Sequence, residues 1–299
     1  GHTKSYGAGA SDAWIVKLDE DGELGWAKTY GGLSTDMFRD IKTAQGGGFF
    51  LTGFSTSYGA GGYDILLAKL EESGTLSWVQ VLGGEDNDSG YSVVETSDGG
   101  VALVGYTGSY GAGSYDALVA KFSEAGAFLW ARALGGADLE IFYAIQQAQD
   151  DGLVLAGYSG SFTDEGGSFV VVKLDQQGEL SDCADIQVQE IFPAVTDITD
   201  LISESDIASG LSDLSLTSSA FAVDEITIPS SAVDNRCYTD PIIASTVMPT
   251  TILGSSTTRP GEDGLLEEQL YAIAGAIISA LVVGITAIIL RACAKKIPC

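Results

Sequence analysis

Histidine is almost missing from this 299-residue chain, and His2 is the only one. Neither a Ser-His-Asp triad nor a histidine-based zinc site can be built around one ring at the chain's edge. Bases are scarce as well: 14 Lys and Arg stand against 41 Asp and Glu, a formal net charge of −27. All 41 acids precede residue 270 and three bases follow it, so the part before 270 carries −30. Nucleic acid and anionic lipid surfaces need basic patches, so an exterior this acidic excludes nucleic acid as a partner. It favours solubility, cations or basic partners. No glycine-lysine phosphate-binding loop occurs. Carboxylates are too numerous for the sequence to single out a catalytic pair.

What the chain has in excess is glycine, 39 residues, and much of it recurs in register. Ser-Tyr-Gly-Ala-Gly stands at 5–9, 57–61 and 109–113, so Tyr6, Tyr58 and Tyr110 are 52 residues apart. The same step carries Asp12 to Asp64 and Asp116, Trp26 to Trp78 and Trp130, Lys17 through to Lys173, and the pairs Gly31-Gly32, Gly83-Gly84 and Gly135-Gly136. No insertion breaks the register. A period of this length marks one supersecondary unit repeated. Within 36–82 the unit reads as four short apolar runs, 37–44, 49–54, 64–70 and 75–82, each stopped by a glycine cluster. Runs of this length, rich in aromatic and branched residues, are strands joined by tight hairpins. The absence of a helical stretch between them excludes a parallel α/β sheet.

Four antiparallel strands in about 50 residues is the size of one β-propeller blade. The units resemble kelch-like propeller repeats: a glycine-ended second strand (Gly53, Gly105), an Asp opening the third (Asp64, Asp116) and a Trp in the fourth (Trp78, Trp130). The resemblance covers about 1–181 and speaks for architecture, because propellers host unrelated functions. It implies two whole blades plus partial ones. Residues 1–5 align with the tail of a second strand, and Asp182 occupies the Trp position of the last unit. The chain is therefore expected to be the C-terminal part of a longer protein; the alternative is several copies assembled into a ring.

Downstream the composition changes. Residues 182–237 lack bases before Arg236 and show weak alternations at 214–216 and 226–228, which suggests a small β module. Cys183 and Cys237 bracket it and are expected to form a disulfide, two free thiols being the alternative. Residues 238–269, with Pro241, Pro249 and Pro260 among Ser and Thr, read as an extended stalk. Residues 270–290 are 21 uncharged residues, enough for a helix of about 32 Å and so for one membrane crossing. Arg291, Lys295 and Lys296 follow, placing the short tail 291–299 in the cytoplasm and the repeats outside. A glycolipid-anchor signal is the rival. Ala272, Ala276, Ala280 and Gly284 line one face of that helix, a surface on which two copies could pair. Cys293 is a candidate lipidation site.

The expected fold is thus all-β: a partial β-propeller, a small β module, a stalk and one transmembrane helix. Trp26, Trp78 and Trp130 are expected to pack between units. Asp12, Asp64 and Asp116 are expected to satisfy donors in the adjacent glycine-rich loops. These acids and the loop at 19–22 also leave calcium as a weak candidate ion, and no cofactor is otherwise implied. Asn87, in Asn-Asp-Ser, is a glycosylation acceptor. No catalytic constellation is present. The expected function is recognition or adhesion at the cell surface through a protein or glycan ligand, with membrane lipid as a further partner. The alternatives are an exported enzyme with its active site in other blades, or a receptor that signals through a partner.

Overall fold

A computed structural model describes residues 1–161, 167–180 and 187–207, and every regular element among them is a β-strand. The most complete repeats are two antiparallel sheets. One contains β4 (Asp36–Thr43), β5 (Phe49–Ser55), β6 (Asp64–Leu70) and β7 (Leu76–Gly83). The next contains β8 (Asp88–Glu95), β9 (Val101–Thr107), β10 (Asp116–Phe122) and β11 (Phe128–Gly135). Before them lie β1 (His2–Thr3), β2 (Asp12–Leu18) and β3 (Leu24–Gly31); after them, β12 (Glu140–Gln147), β13 (Leu153–Ser159) and β14 (Ser168–Leu174). Each strand from β2 to β10 begins 52 residues before its counterpart in the next repeat. The all-β repeat expected from the sequence is therefore present, as open sheets of which none closes on itself.

Strands alternate their side chains between two faces, and here both faces are covered. In β6, Leu66, Ala68 and Leu70 pack with Ala13 and Ile15 of the preceding sheet. Ile65 and Leu67 face the other way, against Val93, Leu103 and Phe122 of the following sheet. The seam after that joins Ala117 and Val119 of β10 to Phe142, Leu155 and Val172 of the last sheet. Double burial explains why β6 and β10 read as near-continuous apolar runs rather than as alternating ones. In β14, at the end of the stack, Phe169 and Val171 occupy the positions of Ile65 and Leu67 and are 55% and 43% exposed.

Residues 187–206 do something the 52-residue pattern does not announce. β15 (Gln187–Ile191) pairs antiparallel with β11, β16 (Ala194–Asp197) with β7, and β17 (Ser203–Asp206) with β3. The chain runs back across three repeats in reverse order and adds an outer strand to each. The described part of the stretch expected as a separate module at 182–237 thus joins the repeat sheets. An outermost strand carries a row of unpaired N–H and C=O groups, which an added strand satisfies. The strap also fills the seams: Ile191 enters the cluster between the second and third sheets, and Ile198 and Ile202 the one between the first and second. Ion pairs hold its exposed side, Lys28 with Glu204 at 2.5 Å and Arg132 with Glu190 at 3.2 Å.

No helix among the described residues is long and apolar enough to cross a membrane. The expected stalk, the helix at 270–290 with Ala272, Ala276, Ala280 and Gly284, and Cys183, Cys237 and Cys293 lie outside the described residues. Because Ile191 is 3% exposed, Ile191→Ala is expected to cost about 3 kcal/mol of stability. Urea unfolding checks this; a change under about 0.5 kcal/mol, the range of ordinary surface substitutions, would show that the strap does not support the seam.

Candidate functional site

The repeated acids hold the loops. Asp12, Asp64 and Asp116 are each 1% exposed, and the Oδ2 of each accepts the N–H of Gly9, Gly61 and Gly113, at 3.0, 3.1 and 2.9 Å. A second column at the same step comprises Asp36, Asp88 and Glu140, all 0% exposed. Their carboxylates accept the N–H of Gly32, Gly84 and Gly136 at 2.8, 2.9 and 2.8 Å. Ser57 and Ser109 donate hydroxyls to Asp36 and Asp88. The two columns meet at one glycine per repeat. A Cβ on Gly83 would lie 2.3 Å from Asp64 Oδ1 and 2.8 Å from Asp88 Oδ2, so the backbone itself occupies the space between the carboxylates. Among the described residues no group of three or more His, Cys, Asp or Glu is arranged to hold a metal. In the acidic loop at 19–22, Asp19 Oδ1 accepts the N–H of Asp21 and Glu23. Burial raises the pKa of Asp64, Asp88 and Asp116 above the ordinary carboxylate value of 3.8, against hydrogen bonds that lower it.

The tryptophans clasp neighbouring sheets. Trp26 Nε1 donates to Glu72 O at 3.1 Å and Trp78 Nε1 to Glu124 O at 3.0 Å. Their rings, and that of Trp130, lie over Gly74, Gly126 and Gly178 in the hairpin of the following repeat. These glycines have φ of 78°, 79° and 77°, the left-handed region that other residues enter only with strain.

A third set of columns went unnoticed in the sequence. β4, β8 and β12 each form an edge of a sheet, β4 and β8 opposite a strap strand, and each has a register shift at the same place: between Phe38 and Asp40, Gly90 and Ser92, and Phe142 and Ala144. The residues skipped are Arg39, Tyr91 and Tyr143, again 52 apart. A bulge leaves its extra residue out of the ladder and re-aims the side chain, which is why bulges gather beside binding and active sites. Here the three side chains converge. The Arg39 guanidinium lies 4.3 Å from the Tyr91 ring centroid and 5.3 Å from that of Phe54. Tyr91 meets Tyr143 edge-on at 5.0 Å and Tyr106 at 5.9 Å; Tyr106 meets Tyr115 at 5.0 Å, and Phe54 meets Tyr63 at 4.7 Å. The result is a continuous aromatic row that crosses three sheets with one cation embedded in it. Burial and the neighbouring Tyr91 push the Tyr106 phenol up, with Arg39 opposing, so the Tyr106 hydroxyl stays protonated at physiological pH. The partners Phe54 and Tyr106, and Tyr63 and Tyr115, also recur at 52, a signal that could have found them.

The glycosylation acceptor Asn87 is half-buried, and its Oδ1 accepts the Tyr63 N–H at 3.0 Å; Ser89 of the same triplet is fully buried. A concavity of about 370 Å³ beside Leu33, Tyr58 and Leu201 carries no charged group. A second concavity, of about 510 Å³, is lined by Asp138 and Tyr158 among others; the aromatic row, with its embedded cation, is taken as the candidate site. No protein-family model matches the chain, and no curated protein matches it.

A methyl group on Gly126 would sit 2.7 Å from the Trp78 ring at a φ of 79°. Gly126→Ala is expected to cost about 3 kcal/mol, combining backbone strain and overpacking. The control Gly46→Ala, with nothing nearer than 4.0 Å, should stay within about 0.5 kcal/mol. Equal costs for the two would dismiss the clasp.

Stability should also depend on pH in a defined direction. Groups whose folded pKa is raised bind protons more tightly when folded, so ionising Asp64, Asp88 and Asp116 costs stability as pH climbs from 3.8 through the raised values. Asp98 acts oppositely. Its folded pKa of about 2 gives stability that is lost as pH falls from 3.8 through that value. The melting temperature is expected to rise from neutral to mildly acidic pH and fall below 3.8, and Asp88→Asn should flatten the upper arm. An upper arm unchanged in that variant would refute the assignment.

Proposed function

We propose that this chain is a recognition module of a cell-surface protein, and that the row around Tyr91 and Arg39 is its ligand-binding surface. Tyr and Arg dominate recognition surfaces because they supply large, stiff contact area with polar tips at low entropic cost. The observation that carries the proposal is the bulge repeated in three sheets, which presents Arg39, Tyr91 and Tyr143 to one surface. We read the stacked sheets as blades of a kelch-like β-propeller, on the repeat length and the Gly, Asp and Trp positions. In a propeller the edge strands β4, β8 and β12 would line the central channel, which makes the row a channel wall.

The remaining sequence supports an outward placement. The stalk at 238–269, the uncharged stretch at 270–290 and the basic residues after it fit a single-pass anchor with the repeats outside the cell. The ligand is then an extracellular protein or glycan, and pairing along Ala272, Ala276, Ala280 and Gly284 would double the contacts.

The test uses the full chain on an array of extracellular glycans and matrix proteins. Tyr91→Ala removes the ring that touches Arg39, Tyr106 and Tyr143, and it is expected to lower binding roughly tenfold or more, as truncation of a central aromatic does at a binding hot spot. Its melting temperature should stay near that of the parent. If no captured partner depends on Tyr91, the row is not the binding surface.

A further inference from the structure

The chemistry of the row narrows its ligand. Arg39 is exposed and makes no hydrogen bond or ion pair with any described residue, although the chain carries 41 acids. Every other described Lys or Arg except Lys4 has a carboxylate partner. Asp40, adjacent in sequence, is occupied elsewhere: it accepts from Lys42, from the Ser92 hydroxyl and from the Val93 N–H. Two rings pin the guanidinium and leave its N–H fork turned to no internal acceptor. A fork of this kind matches the two oxygens of a carboxylate.

The phenolic hydroxyls of Tyr63, Tyr91, Tyr106 and Tyr115 likewise have no hydrogen-bond partner among the described residues. They are rigid donors and acceptors beside apolar ring surface. The row also runs across three separate sheets, so along its length it offers no continuous ladder with which an extended peptide could pair. A ligand that follows the row across the sheets is read chiefly by side chains. One that alternates hydroxyls with apolar C–H faces suits this surface, and a sugar chain has that composition. The charge of −27 sets a limit, since a polyanion would be repelled by the surroundings of the single cation.

We infer that the row binds an oligosaccharide carrying one carboxylate, of the uronic or sialic type, with the sugar rings on Tyr63, Tyr91 and Tyr143 and the carboxylate on Arg39. This inference rests on the recognition reading above and deepens it.

Calorimetric titration of the full chain with a panel of uronate- and sialate-terminated oligosaccharides tests it. Each is paired with the same sugar after reduction of its carboxyl group to the alcohol. The acid form is expected to bind roughly tenfold tighter or more, the worth of a charge-assisted bidentate contact, and to weaken as salt is raised. Arg39→Ala should bring the acid form to the level of the reduced form without changing the latter. Arg39→Lys should recover only part of the difference, because it keeps the charge and loses the fork. Equal affinity of the acid and reduced forms, a preference that survives Arg39→Ala, or no binding across the panel would each overturn the inference. Tyr91-dependent capture of a partner on the array, in the face of such a result, leaves the recognition surface standing with a different ligand. Loss of that capture as well removes both.

Discussion

The structure depends on the seams between sheets. Each sheet is apolar on both faces, as Leu66 and Leu67 show by pointing opposite ways from β6, both 0% exposed. A single repeat would leave two such faces in water, at a cost of about 25 cal/mol for each Å² of apolar surface. Stacking removes it, so stability is a property of neighbours rather than of units. The recurring Trp and Asp columns serve this arrangement. The Trp rings reach across the seam to a glycine hairpin, and the buried acids pull the glycine-rich loops onto the strand ends.

The strap acts on the same seams from outside. By running backwards over β11, β7 and β3 it adds backbone pairing to three outer edges with one continuous segment. Its isoleucines pack into the apolar seams between consecutive sheets. Two kinds of edge result. The outer edges at β3, β7 and β11 are paired; the inner edges, β4, β8 and β12, carry bulges and present side chains. That asymmetry is what gives the proposed recognition surface its place: the strap occupies the outer edges of three sheets, and the bulged inner edges offer Tyr and Arg.

The repeat, its four strands and its hairpins were readable from the sequence because they rest on local chemistry. Glycine is favoured where φ is positive, as at Gly74 and Gly126, and apolar runs of seven or eight residues between such turns make strands. The roles expected of Asp12, Asp64 and Asp116 concern a loop three residues away, as with Asp64 and the Gly61 N–H, so they too were within reach. The strap was not. Its strands pair with residues from about 50 to more than 170 positions earlier, Ile191 with Ala131 and Asp206 with Lys28, and neither the spacing nor the composition of 187–206 carries the address of those partners.

The site divides in the same way. That Arg39, Tyr91 and Tyr143 share a column is written in the 52-residue register, and nothing about three residues of mixed type marks them as functional. Their convergence is tertiary: a bulge one residue wide turns each side chain out of its ladder, and stacking brings the next repeat's ring within 5.0 Å. The missing acid partner of Arg39 is tertiary too, since Asp40 lies next to it in the chain and is held by Lys42, Ser92 and Val93. The sequence by itself determined the repeated β unit, its turns and its acidity, because these follow from single residues and their spacing. Only the tertiary structure decided which edges are sealed and which side chains meet, because both depend on contacts between distant repeats.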